Sequence, residues 1–332
     1  MNALMFFTLT IGDWIDKTFY GFDVWVYKIF GAMQNGFLTW VAKAFTALGD
    51  ENFVIPVAVL DLVLCFFKKT RKYGLALVFA IMIGTLVTNI VVKPMVLRIR
   101  PYNTLQGTPI AEQYAKWYAG AGGFSESDYS FPSGHTTAAF EIAIAMFLCF
   151  RSRAKELKAA GEKTVMGKLA WIFPVIAICV MGSRIYLMVH YPTDVIGGLL
   201  VGTVAGICGY FIAKVLCKLF EKVSFLDKID VERISKKGFN PKAVTVCLCV
   251  VLVGFFCLSF IPALSEGAGH EQLCAYSGAE YDNVAGDYDC LNAARVDDEK
   301  YYAFDGNDDG IPDEYCKIHW KALHGDETED QE

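Results

Sequence analysis

The chain is 332 residues long and 54% apolar, with a mean hydropathy of +0.36, more than a soluble domain of average composition carries. Its net charge of -6 hides a split: residues 263–332 hold 19 acids and 4 bases, while residues 1–262 are net basic. A uniform soluble globule is thereby excluded, and the lysines and arginines, gathered in short loops between apolar runs, give no reason to invoke nucleic acid.

Taken in chain order, residues 1–11 are apolar but lack a basic start and run into Asp13 and Asp16, so a cleaved signal peptide is not expected. Residues 24–48 are aromatic and apolar but interrupted by Lys28, Gln34, Asn35, Gly36 and Lys43. Residues 1–50 therefore read as an amphipathic interfacial segment, with a seventh membrane span as the alternative. Six stretches are long and apolar enough to cross a bilayer, near 53–67, 74–92, 136–150, 169–189, 195–213 and 243–262. Together they predict an all-α, multi-pass transmembrane helical bundle. Its expected parts are a membrane core over 51–215, a basic cytoplasmic loop over 216–242, a further span over 243–262 and a small acidic extracytoplasmic tail over 263–332. Basic clusters at 68–72, 151–168 and 218–242 fall in alternate loops. The positive-inside rule then puts residues 93–135, the turn near 190 and the tail outside, in a cell membrane.

Three blocks meet on that outer face. They are Lys93 to Pro101, with Arg98 and Arg100 inside it; Pro132, Ser133, Gly134 and His135; and Ser183 to Asp194, with Arg184 and His190. Cations on the side that the charge rule disfavours ask for an anionic partner, and a phosphoryl group suits them because arginine grips two oxygens through its planar fork. Ser133 and Gly134 stand before an apolar helix, where backbone N–H groups bind anions. Two imidazoles and one carboxylate can run a two-step displacement. His190 attacks phosphorus, Asp194 orients its ring, and His135 protonates the leaving oxygen and then activates water. That chemistry requires no metal cofactor.

The order K-x6-R-P, P-S-G-H, S-R-x5-H-x3-D resembles the signature of the type 2 phosphatidic acid phosphatase superfamily, and all three blocks match it over about residues 50 to 215. The resemblance implies a helical membrane core in which Lys93, Arg100, Ser133, Gly134 and Arg184 hold phosphate, His190 is the nucleophile and His135 the acid and base. The expected function is removal of phosphate from a lipid phosphate or pyrophosphate at the outer leaflet through a phosphohistidine. A phosphate-lipid-binding or calcium-dependent surface protein, and a lipid phosphotransferase, are the alternatives. Sequence does not name the lipid.

Outside the signature, Arg98 reads as a headgroup contact, Asp61 as an ion-pair partner inside the bundle, and Glu141 as a residue able to tune the site. Gly198, Gly202 and Gly206 form a small-residue stripe for close helix packing. The 30 residues from 102 to 131, with Tyr114, Trp117 and Tyr118, read as a lid or headgroup selector, the alternative being an interfacial aromatic anchor. In the tail, Asp305, Asn307, Asp309, Ile311 through its carbonyl, and Asp313 resemble a calcium loop of EF-hand or thrombospondin type 3 kind, although Cys316 stands where an EF-hand has glutamate. Cys290 with Cys316 is the favoured disulfide, leaving Cys274 unpaired.

Overall fold

The computed structural model describes residues 10–105, 108–124 and 128–222, with 250, 253, 254, 256 and 257. The calcium motif, Cys274, Cys290, Cys316 and most of the sixth expected span lie outside the described residues.

Helix α1 (Ile11–Ala32) opens on a reciprocal cap: the Thr10 hydroxyl accepts from the Asp13 N–H at 3.1 Å, and the Asp13 carboxylate accepts from the Thr10 N–H at 2.8 Å. Its faces invert the pattern of a soluble helix. Trp14, Phe19, Phe22, Trp25 and Ile29 point outward, whereas Asp23 and Tyr27 are buried. Asn35 caps α2 (Gly36–Thr46) and Asp50 caps α3 (Glu51–Leu64). At 1.5 Å per residue α3 is about 21 Å long, short of the ~30 Å hydrocarbon core. Helix α4 (Arg71–Thr85) continues through a π-helical segment (Leu86–Val92) into α5 (Lys93–Val96). Two short helices follow, α6 (Pro101–Thr104) and α7 (Ala111–Ala121). The core is completed by α8 (Gly134–Ala159), α9 (Met166–Leu169), α10 (Ile172–Tyr186) and α11 (Pro192–Lys222).

The described chain is an all-helical transmembrane fold. Stretches Arg71–Thr104, Met166–Tyr186 and Pro192–Lys222 are each long and apolar enough to cross a bilayer. On α11, Ile196, Leu200, Val204, Ile207, Phe211 and Val215 form an exposed stripe at helical spacing, while the opposite stripe of glycines is buried. That inner stripe lets backbones touch. A Cβ placed on Gly198 would lie 2.7 Å from the Ser133 carbonyl oxygen, on Gly202 2.5 Å from that of Thr137, and on Gly206 2.8 Å from that of Glu141. The glycines therefore seat α11 against α8 at distances no side chain permits.

Two buried acids, Asp61 and Glu141, each present an oxygen without a hydrogen-bonding partner among the described residues. In Asp61 it is Oδ2, so the expected ion pair is not formed by that oxygen. In Glu141 it is Oε2, which packs against the bare Cα of Gly84.

Candidate active site

Block one is aimed by irregular backbone. The π-helical segment shifts the register of the helix just before Lys93, a device common near functional sites. Leu97 then takes a left-handed conformation, φ 55°, which ends α5 and turns Arg98 inward. Among the described residues, only Leu97 and Met188 combine a positive φ with a side chain, and Met188 (φ 60°) stands two residues before His190. Such conformations persist where surrounding contacts over-determine them.

His190 is fully buried between two of the predicted partners. Its Nε2 lies 2.9 Å from Arg100 Nη1, and its Nδ1 lies 3.4 Å from Asp194 Oδ2 and 3.5 Å from Ser130 Oγ. A guanidinium only donates, so Nε2 accepts and carries the lone pair, which leaves the ring proton on Nδ1 facing Asp194. Burial, and next the charge of Arg100, hold the His190 imidazole down to about 4, against the pull of Asp194. The ring is thus neutral at pH 7.

Asp194 is held on every side. Its Oδ2 accepts from Ser130 Oγ at 2.5 Å and from the Tyr191 N–H at 2.9 Å; its Oδ1 accepts from Arg98 Nη1 at 2.5 Å. Arg98 is therefore no headgroup contact. It is wholly buried, donates to Asp16 at 2.8 Å, Asp23 at 2.9 Å and Thr193 at 2.6 Å, and lies 3.8 Å from the centre of the Tyr191 ring. A buried guanidinium needs such partners, because an unpaired one would carry a penalty of several kcal/mol. Asp23 also accepts from the Thr193 N–H at 2.9 Å, and the Tyr27 hydroxyl donates to the His190 carbonyl at 2.9 Å. Helix α1 thus holds the turn that presents His190 and Asp194.

Block two is tied to block three through the backbone. Ser133 was expected to offer its N–H to an anion, but that N–H donates to the Asp194 carbonyl at 3.1 Å. Its hydroxyl oxygen caps α8, accepting from the Thr136 N–H at 3.4 Å and the Thr136 hydroxyl at 3.1 Å, which leaves its own hydrogen to donate. Gly134 faces block one: a Cβ there would lie 3.8 Å from Lys93 Nζ. His135 is only partly buried, with its Nε2 3.9 Å from Asp50 Oδ2. Arg184 is buried, donates to the Thr46 hydroxyl at 2.6 Å, and is close enough to His190 to help depress it. Lys93 and Arg100 both pair with the carboxylate of Asp128.

The three blocks therefore assemble around His190, with Lys93, Arg100, Gly134 and Arg184 on the same site. Sequence reasoning missed Asp16, Asp23, Tyr27, Asp50, Asp128 and Ser130. Asp16, Asp23 and Tyr27 stand at i, i+7 and i+11, one helix face, and that polar stripe in an aromatic segment was a legible signal. The loop 102–131 was expected to act as a lid or an interfacial anchor. Three of its tyrosines are packed inside: Tyr102 and Tyr118 stack at 5.1 Å, Tyr114 meets Tyr27 edge-on at 5.2 Å, and the Tyr114 hydroxyl donates to the Met188 carbonyl.

Comparison with known proteins places the chain in a family. A family model described as the PAP2 superfamily matches residues 73–217. An undecaprenyl-diphosphatase of Sulfolobus acidocaldarius is 31% identical over 184 residues, 55% of this chain and 74% of that protein. Phosphatidylglycerophosphatase B of Bacillus subtilis is 30% identical over 174 residues, 51% of this chain and 72% of that one. A crystal structure of a transmembrane PAP2-type phosphatidylglycerolphosphate phosphatase from Bacillus subtilis is 25% identical, covers 67% of this chain and 96% of its own, and superposes with a TM-score of 0.46.

Proposed function

The chain belongs to the PAP2 superfamily and is a membrane lipid phosphatase, and from that premise we propose that it removes the terminal phosphoryl group of a lipid phosphomonoester or diphosphate at the outer leaflet through a phosphohistidine on His190. The observation that carries this reading is the line from Arg100 through His190 to Asp194, which leaves a neutral imidazole with its Nε2 lone pair on the side of the cations. The relatives named for undecaprenyl diphosphate and phosphatidylglycerol phosphate share the chemistry of a terminal phosphate on a lipid.

In the proposed reaction Nε2 of His190 forms a bond to phosphorus as the bond from phosphorus to the leaving oxygen breaks. His135 gives that oxygen its proton. Lys93, Arg100 and Arg184 balance the charge on the equatorial oxygens, with the Ser133 hydroxyl and the Gly134 N–H beside them. Asp194 stabilises the ring as it becomes cationic, and Arg98 fixes Asp194. His135, now a base, takes a proton from water, which attacks phosphorus; the bond to nitrogen breaks and inorganic phosphate leaves.

The test is phosphate release by the purified full chain from a panel of lipid phosphomonoesters and diphosphates. His190→Ala is expected to lose at least 10³-fold in turnover while melting as the wild type does, and His135→Ala to accumulate phosphate on His190. Turnover surviving in His190→Ala would sink the assignment.

A further inference from the structure

Lys93 and Arg100 both close on one carboxylate of the chain itself, that of Asp128. Arg100 Nε also donates to the Asp128 carbonyl at 3.0 Å. The two cations are buried, with side chains 7% and 1% exposed, whereas the Asp128 side chain is 44% exposed. Asp128 thus reaches in from the surface and sits where a phosphoryl group would meet the same two cations. We propose that Asp128 is an internal competing ligand of the phosphate cradle, a tethered carboxylate that an incoming phosphoryl group must displace from Lys93 and Arg100. The inference rests on the reading of Lys93 and Arg100 as phosphate ligands.

Charge and concentration govern what occupies the two cations. A membrane presents phosphodiester headgroups, each with one negative charge, in great excess over any phosphomonoester. A bare pair of cations would collect them. Asp128 carries one negative charge as well, so exchanging it for a phosphodiester gains no attraction, and its tether gives it an effective concentration of about millimolar or more. A terminal phosphate carries roughly -1.5 to -2 at neutral pH. It therefore attracts the Lys93 and Arg100 pair more strongly than Asp128 does and can displace it, while the closed site holds few phosphodiesters. Between turnovers Asp128 also gives the two buried cations a partner of opposite charge.

Calorimetry and inhibition kinetics on the full chain in detergent test this, with inorganic phosphate as the doubly charged probe and phosphatidylglycerol in mixed micelles as the phosphodiester. Asp128→Asn is expected to bind inorganic phosphate about three- to tenfold more tightly. Inhibition by phosphatidylglycerol should tighten by the same factor, because both probes displace the same carboxylate. Asp128→Ser must give the same tightening, and Asp128→Glu should restore affinities near those of the wild type. Unchanged or weaker binding of inorganic phosphate in both neutral variants overturns the proposal. Arg100→Gln separates the two levels. If it binds phosphate as the wild type does, the reading of the cradle fails; if it loses phosphate while the Asp128 variants gain none, only the role of Asp128 fails.

Discussion

His190 carries an acid signature that can be measured. Its folded value near 4 lies below the 6.5 of an unfolded imidazole, so between those two pH values the unfolded chain binds a proton that the folded chain does not. Stability contributed by the neutral ring is present above pH 6.5 and is lost as pH falls toward 4, by roughly 3 kcal/mol at the limit. Asp16 runs the other way. Burial raises it from 3.8 to about 6, so its share of stability falls as pH rises through that window. Comparing the wild type with His190→Gln isolates the imidazole: the variant should lose less melting temperature between pH 6.5 and 4, and equal losses would contradict the buried neutral ring. At this scale the sequence made His190, Asp194, Arg100 and Lys93 legible, because their spacing is local and chemically distinctive. The partners Asp50, Asp128 and Ser130 were not, since a lone acid or hydroxyl shows no period and its role depends on which segment folds against it.

Helix α1 lies before the matched region 73–217, yet Asp23 and Tyr27 hold the backbone and side chains of the His190 turn. Asp23→Ala would strip Arg98 Nη2 and the Thr193 N–H of an acceptor in a buried place, a change worth about 3 kcal/mol or more. The expected result is a lower melting temperature together with a fall in kcat larger than the change in KM, and partial rescue by Asp23→Asn. A variant with wild-type kcat would show that α1 packs beside the turn without positioning it. Tyr27→Phe removes a single hydrogen bond, and a smaller loss of the same kind is expected. The long apolar elements α4, α10 and α11 were readable from hydropathy because lipid imposes length and composition together. The π-helical segment and the left-handed Leu97 and Met188 were not, since apolar side chains leave no mark of the backbone they adopt.

Across the whole molecule, orientation is the most direct claim to check. We propose that the three basic loops face the cytoplasm and the site faces outward. A cysteine at the exposed Glu112 position should then react with an impermeant thiol reagent in intact cells, in a background without reactive native thiols, and one at Ala159 should not; the reverse labelling would overturn both sidedness and an outer-leaflet substrate. The acidic tail is proposed as a calcium module on the same side. Full-length protein should show a calcium isotherm at millimolar concentration that disappears when Asp305 and Asp309 are both changed to alanine, and no isotherm in the unaltered chain would leave the motif an ordinary acidic loop. The glycine contacts of α11 have a consequence of another kind. Gly198 meets the backbone of Ser133, the residue whose N–H rests on Asp194, so the surface that joins the two longest helices is continuous with the one that aligns the reacting groups. For substitutions in that seam, tolerance to heat and catalytic rate are expected to fall together. A series at Gly202 running through alanine, valine and leucine should trace one line when log kcat is plotted against melting temperature, with no variant that keeps one quantity and loses the other.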